Sequence, residues 1–234
     1  NYVGGNVSVI PIERDGRLGA VSDVDQHQGS SVNPNRQEGP HAHCVVLDRT
    51  NRYAYSCNLG TDKVMIYRFD SKRGKLAPNQ QPWVQVRPGA GPRHFTFHPS
   101  GRYAYVMNEL DSTVTAFEFD GTQGTLKDAQ TVRTLPEGFS EMNTTADIHV
   151  SSSGKFLYGS NRGHNSIVVF EIEERTGRLR FIEHVTTGGR TPRNFALDPT
   201  GSFLLAANQD SDTIVTFRLD PATGRVKATG YVAE

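Results

Sequence analysis

One pattern recurs four times along the chain, and it confines the fold to an array of similar units. The stretches AHCVVLDRTNRYAYSCNLGTDKVMIYRFD from Ala42, PRHFTFHPSGRYAYVMNELDSTVTAFEFD from Pro92, TADIHVSSSGKFLYGSNRGHNSIVVFEIE from Thr145 and PRNFALDPTGSFLLAANQDSDTIVTFRLD from Pro192 align without gaps. Asn58, Asn108, Asn161 and Asn208 mark one point in each copy, at intervals of 50, 53 and 47 residues. Repeats of that length with alternating rather than helical periodicity are the signature of propeller blades.

Within a copy the apolar residues alternate. In the second, Phe95 and Phe97 flank Thr96, Pro99-Ser100-Gly101 turns the chain, Tyr103 to Val106 runs back, and Thr113 to Phe119 makes a third strand. A fourth strand starts at Gly124-Thr125-Leu126, a turn that returns as Asp15-Gly16-Arg17-Leu18, Arg73-Gly74-Lys75-Leu76, Thr176-Gly177-Arg178-Leu179 and Thr223-Gly224-Arg225-Val226. Glycine tolerates the positive φ of such hairpins. The expected fold is all-β, a propeller of four-stranded antiparallel blades.

The expected division is a partial blade over 1–38, supplying only third and fourth strands, then blades over 39–90, 91–143, 144–190 and 191–234, all within one incomplete propeller. Open blades leave unpaired edges, which propellers avoid by closing into a ring. The sequence is therefore expected to lack two to three blades, supplied by the rest of a longer chain or by another copy.

Registers that stay constant serve the blade, and registers that change are free for function. The shared asparagines belong to the first kind and read as turn formers that satisfy local backbone. The residue before the innermost strand belongs to the second, reading His43, Arg93, Ala146 and Arg193. The next reads Cys44, His94, Asp147 and Asn194, and the one after the shared asparagine reads Leu59, Glu109, Arg162 and Gln209. In a propeller these registers converge on one mouth of the central channel, so distant charged groups meet there. His41 precedes His43 by two residues and either shares that mouth or ends the preceding turn; Asp147 and His149 alternate along one strand and either point into the channel or form a satisfied buried polar pair. His98 and Asp198 read as turn residues; His27, His164 and His184 have no assignable partner.

Charge balance argues against general binding to nucleic acid, since 25 Lys and Arg face 25 Asp and Glu, and no apolar run approaches the roughly 18 residues of a spanning helix. Cys44 and Cys57 are too few for a disulfide framework and read as two small buried thiols, which favours a reducing compartment. No nucleophile elbow, phosphate loop or paired-cysteine motif is present. No metal is expected, because arginines share the mouth with the imidazoles and carboxylates, and no cofactor is called for.

GPHAHCVV, GPRHFTFHP with Asn108-Glu109, ADIHVSSSGKFLYGSNRGHNSI and TPRNFALDPTGSFLLAANQDSDTI together resemble the seven-bladed propeller lactonases, which include propeller-type 6-phosphogluconolactonase and carboxy-muconate cyclase. The resemblance implies a cytoplasmic hydrolase acting on an anionic sugar lactone, most simply 6-phosphogluconolactone in the pentose phosphate route. It maps the family's catalytic set onto His43, Arg93, Glu109 and Arg162. His41, His94, Asp147, His149, Arg193 and Asn194 are the expected substrate-binding residues. Arg93 and Arg162 suit a developing oxyanion and Arg193 a phosphate or carboxylate. Either His43 or Glu109 is able to take the proton from water; His43 is assigned as base, with Glu109 orienting it or the substrate hydroxyls. Lactone formation from a muconate, and a non-catalytic binding module, are the alternatives.

Overall fold

A computed structural model describes residues 1–234. Strands β1 (Asn6–Val9) and β2 (Asp23–Gln26) pair as a two-stranded sheet. Four antiparallel four-stranded sheets follow in strict chain order. The first holds β3 (Ala42–Leu47), β4 (Tyr53–Asn58), β5 (Lys63–Asp70) and β6 (Lys75–Gln85), and the second β7 (Pro92–Phe97), β8 (Tyr103–Asn108), β9 (Thr113–Asp120) and β10 (Thr125–Arg133). The third holds β11 (Thr144–Val150), β12 (Phe156–Arg162), β13 (Ser166–Ile172) and β14 (Leu179–Thr186), and the last β15 (Pro192–Leu197), β16 (Phe203–Asn208), β17 (Thr213–Leu219) and β18 (Val226–Ala233).

Each first strand lies at one edge of its sheet, and β3, β7, β11 and β15 pack side by side in that order. The sheets thus radiate as blades from a common axis. The apolar cores lie between blades: one unites Tyr55, Ile66, Phe95 and Phe117, a second Tyr105, Met107, Leu157 and Phe170, and a third Tyr158, Val169, Phe195 and Phe217. No blade buries its own faces alone, so stability is a property of neighbours.

The hairpin glycines show how neighbours engage. Gly124 has φ 67° and a Cβ placed there would lie 2.3 Å from the Tyr53 ring of the preceding blade. The Gly124 carbonyl accepts a 2.9 Å hydrogen bond from the buried Tyr55 hydroxyl, and Tyr105 and Tyr158 reach Gly177 and Gly224 in the same way. Leu205 stands at this register in the last blade, without a hydroxyl and partly exposed. Gly16 shares the positive φ, at 84°, but a Cβ there would meet nothing within 4 Å. Gly124→Ala is therefore expected to destabilise by about 2–3 kcal/mol, adding a clash to the conformational penalty, and Gly16→Ala by only about 1 kcal/mol. Urea unfolding of both variants checks this; equal losses would mean that the glycine serves its own turn and not the neighbouring ring.

The asparagine register departs from expectation. All four residues are buried at or one short of the end of a second strand, and Asn58, Asn161 and Asn208 bond groups beyond their own turn. Asn58 accepts from the His41 N–H, whereas Asn161 and Asn208 donate to the Thr134 and Thr187 carbonyls at the exit of the fourth strand. Asn108 donates to the Thr113 and Thr115 hydroxyls. Repetition marked the position as structural but carried no record of the partner. The unassigned histidines also have partners: His27 meets the Tyr67 hydroxyl, His164 the Ser166 hydroxyl and His184 the Thr134 carbonyl.

Candidate active site

The variable register sits inside the innermost strands, not before them. In each the pairing slips by one residue: Ala42 pairs with Asn58 but Cys44 with Cys57, Pro92 with Asn108 but His94 with Met107, and Pro192 with Asn208 but Asn194 with Ala207. In β11 the slip falls between Thr145 and Ile148. His43, Arg93 and Arg193 are thus bulge residues, and a bulge bends the strand and re-aims the side chain it carries. This is how one register of four different blades comes to face one mouth.

Two carboxylates organise the mouth. Glu109, buried in the turn just past β8, accepts from Arg36 Nη2 at 2.5 Å, from Arg93 Nε at 3.0 Å, and lies 3.0 Å from Arg162 Nη2. Arg93 is almost wholly buried and also donates to the Ala146 carbonyl at 2.7 Å; Arg162 donates to the Thr145 carbonyl at 2.7 Å and keeps a buried, unpartnered Nε. Burial pushes the Glu109 carboxyl up, but Arg162, Arg36 and Arg93 outweigh it and hold the group below its ordinary value. The cations differ among themselves: burial and the neighbouring Arg162 push Arg93 down to about 10 against the pull of Glu109, whereas at Arg36 burial is outweighed by hydrogen bonds to Tyr2 and Glu109, which raise it.

The second hub is Asp147 on β11. It accepts from His94 Nδ1 at 2.7 Å and Asn194 Nδ2 at 2.6 Å, and lies 3.3 Å from His149 Nε2, so it ties three blades together. Burial raises its carboxyl, but the hydrogen bonds from His149 and His94 more than offset this and leave it well below the usual carboxylate range. His94 Nε2 in turn lies 3.1 Å from Arg93 Nη1, which joins the two hubs.

His43 faces the His94 ring at 5.2 Å and the Tyr2 ring at 5.5 Å, with its Nδ1 buried and unpartnered. Burial first, then Arg93 and His94, push its pKa down to about 3, so the imidazole is neutral at neutral pH. No hydrogen bond links it to Glu109, whose oxygens are taken by the arginines. His41 stands apart from this group, stacked on Tyr2 at 4.5 Å and bonded to the Tyr2 carbonyl and Glu38. Arg193 is exposed and has only Gln209 as a side-chain partner, at 3.3 Å. Its charge is nevertheless felt by Arg93 and Arg162.

Arg36 and Tyr2 were not signalled by the repeats. Arg36 lies in the loop before β3, outside the aligned copies, whereas Tyr2 follows Asn1 at the register of Leu59, Glu109, Arg162 and Gln209 in the partial blade, which the comparison of the four full copies left out. The Asn1-Tyr2 pair, in register with Asn108-Glu109 and Asn161-Arg162, was the available cue. The mouth therefore holds four guanidinium groups against two carboxylates, and both carboxylates are already occupied. No group of three or more His, Cys, Asp or Glu side chains is placed to hold a metal ion. A groove of about 410 Å³ at the opposite end of the sheets, lined by Ser151, Phe156, Thr200 and Asp220 among others, contains no arginine.

The model of the lactonase family described as a 7-bladed beta-propeller matches residues 1–233. A 6-phosphogluconolactonase of Bacillus subtilis (strain 168) is 40% identical over 199 residues, covering 85% of this chain and 56% of that protein. The periplasmic gluconolactonase of Pseudomonas aeruginosa superposes with a TM-score of 0.92 at 38% identity, over 98% of this chain and 63% of the other. A putative 6-phosphogluconolactonase of Bacteroides fragilis NCTC 9343 gives 0.93 at 34% identity, over 100% and 66%. The chain spans little more than half the length of the curated relatives it matches. No helix is long and apolar enough to cross a membrane.

Proposed function

Because the chain belongs to the seven-bladed β-propeller lactonase family, we propose that the mouth around Glu109 binds an anionic sugar lactone, 6-phosphogluconolactone in the first instance, and that the protein hydrolyses it to the open acid. The observation that carries this reading is the surplus of guanidinium groups, with Arg36, Arg93 and Arg162 held on one buried carboxylate. Relatives named 6-phosphogluconolactonase point the same way.

Water attacking the lactone carbonyl develops an oxyanion, and cations already fixed around that point stabilise it without reorganising. Arg93 and Arg162 take this role, positioned by Glu109 and by the Ala146 and Thr145 carbonyls. Arg193, with the fewest protein partners of the four, is the arm for the substrate phosphate, for which a planar fork of donors is suited. Glu109 is better placed to hold the arginines than to orient His43.

His43 remains the assigned base. With its pKa pushed down to about 3 it is a weak base, and bound phosphate together with the growing oxyanion strengthens it by offsetting the arginine field. The sign of its pH effect follows. Protonation of His43 falls well below neutrality, so kcat/KM for an unphosphorylated δ-lactone is expected to show no inflection at the ordinary histidine value of about 6.5. A pH–rate profile of the full-length protein with such an inflection, abolished by His43→Gln, would overturn the buried, neutral state described for this imidazole.

The activity itself is tested by following acid release from 6-phosphoglucono-δ-lactone and from glucono-δ-lactone with the full-length protein. A higher kcat/KM for the phosphorylated lactone supports the reading; a preference for the unphosphorylated one would align the protein with the P. aeruginosa gluconolactonase. No turnover of either, alongside lactonisation of a muconate, would replace hydrolysis with the cyclase reaction.

A further inference from the structure

Cys44 and Cys57 face each other across the antiparallel β3–β4 ladder, next to the bulge that carries His43. Opposed residues of such a ladder project to one face with Cα atoms about 4.5–5.5 Å apart, inside the roughly 4.4–6.8 Å that a disulfide spans. Both thiols are free and pack in the same core with Phe95; Cys57 is fully buried and Cys44 half-buried, so an oxidant meets Cys44 first.

Cys44 does not occupy an ordinary core register. In the other three blades the same position carries His94, Asp147 and Asn194, the three residues joined at the Asp147 hub. Cys44 is thus the fourth member of that ring, one residue from His43, whose imidazole lies against His94.

We propose that Cys44 and Cys57 form a reversible disulfide in response to hydroperoxides, and that the bond shifts the His43 bulge and lowers the activity of the site. The first half stands on the strand register alone; the second rests on the lactonase reading above. The Cys44 sulfur attacks the peroxide O–O bond, gives a sulfenic acid and releases the alcohol. The Cys57 sulfur then attacks the sulfenic sulfur, the S–S bond forms and water leaves. Two thiols and one hydroperoxide become one disulfide, one alcohol and one water, with two electrons passed to the peroxide.

The surroundings favour that order of events. Contact with the Cys57 thiol, aided by the Phe95 N–H and Arg93, outweighs burial and holds the Cys44 thiol below its ordinary value, whereas burial pushes Cys57 up. Closing the bond draws the Cys44 sulfur toward Cys57 on β4, one residue from the His43 bulge. A displacement of that kind at a site residue is enough to change a rate substantially.

The test treats the full-length protein with hydrogen peroxide, alkylates remaining thiols, and maps the peptides by mass spectrometry beside the lactonase rate. The expected product is a linked Cys44–Cys57 peptide lighter by two hydrogens, a rate reduced by about tenfold or more, and recovery of both on adding dithiothreitol. Cys57→Ala should prevent the link and keep its rate through the peroxide step. The proposal fails if both cysteines are alkylated after peroxide, or if Cys44 gains two or three oxygens while Cys57 stays a thiol. A link that leaves the rate unchanged removes the coupling to His43. A reduced protein that turns over no lactone counts against the proposed function, while the peptide map still decides the disulfide.

Discussion

Full-length protein carrying Glu109→Ala is expected to lose about 3 kcal/mol or more of stability and nearly all lactone turnover, because the substitution strands the buried Arg93 beside two other cations. Arg36 and Arg162 keep some access to water and relax part of the strain; Arg93 has almost none. Glu109→Gln, which leaves one oxygen to accept, should fall between wild type and alanine. The pH dependence has a definite sign. The native carboxyl lies below its ordinary value, so as pH falls the unfolded chain takes up the proton first. The stabilisation is complete above the ordinary glutamate value of about 4.3 and is lost as pH drops toward the native one. Denaturant unfolding at neutral pH and again near pH 3 separates these cases. An alanine variant with the wild-type midpoint at neutral pH would show that the three-way pairing does not hold the site together.

Arg162→Met is expected to behave in the opposite way, with kcat reduced by about 10²–10³ and stability changed by less than about 1 kcal/mol. The guanidinium is offered as a donor to charge that exists only in the transition state, so its loss falls on kcat. Its removal also relieves repulsion within a crowded group of cations, and burial already pushes this arginine below its ordinary value. Glu109 retains Arg36 and Arg93, and methionine fills the space of the stem. A matching change at Arg193 should raise KM for the phosphorylated lactone more than it lowers kcat, since that side chain is exposed and not engaged with Glu109. A kcat for Arg162→Met within a few-fold of wild type would remove Arg162 from oxyanion stabilisation.

Much of this arrangement was legible before any coordinates. The gapless repeats marked the four four-stranded sheets, and the recurring glycine turns placed the hairpins between third and fourth strands. The changing registers also singled out Arg93, Glu109, Arg162, His94 and Asp147, which the structure gathers around two carboxylates. His41 was less well served. Its spacing from His43 left open a place at the mouth or a role in the preceding turn, and the structure sets both rings against Tyr2, with His41 also bonded to the Tyr2 carbonyl and Glu38. Arg36 was missed because its loop lies outside the repeats, and Tyr2 because the comparison took in only the four full copies, although it stands at the Glu109 and Arg162 register of the partial blade.

The linear chain alone determined the β class, the blade period and the residue types available to a mouth, because alternation, turn glycines and repeat registers are local properties of sequence. Only the folded molecule decided that Glu109 gathers three arginines, that Asp147 ties three blades together, and that burial leaves His43 neutral. The reason is that ion pairing and desolvation depend on distances between blades, and those distances are set by bulges and by packing between sheets that no single repeat contains.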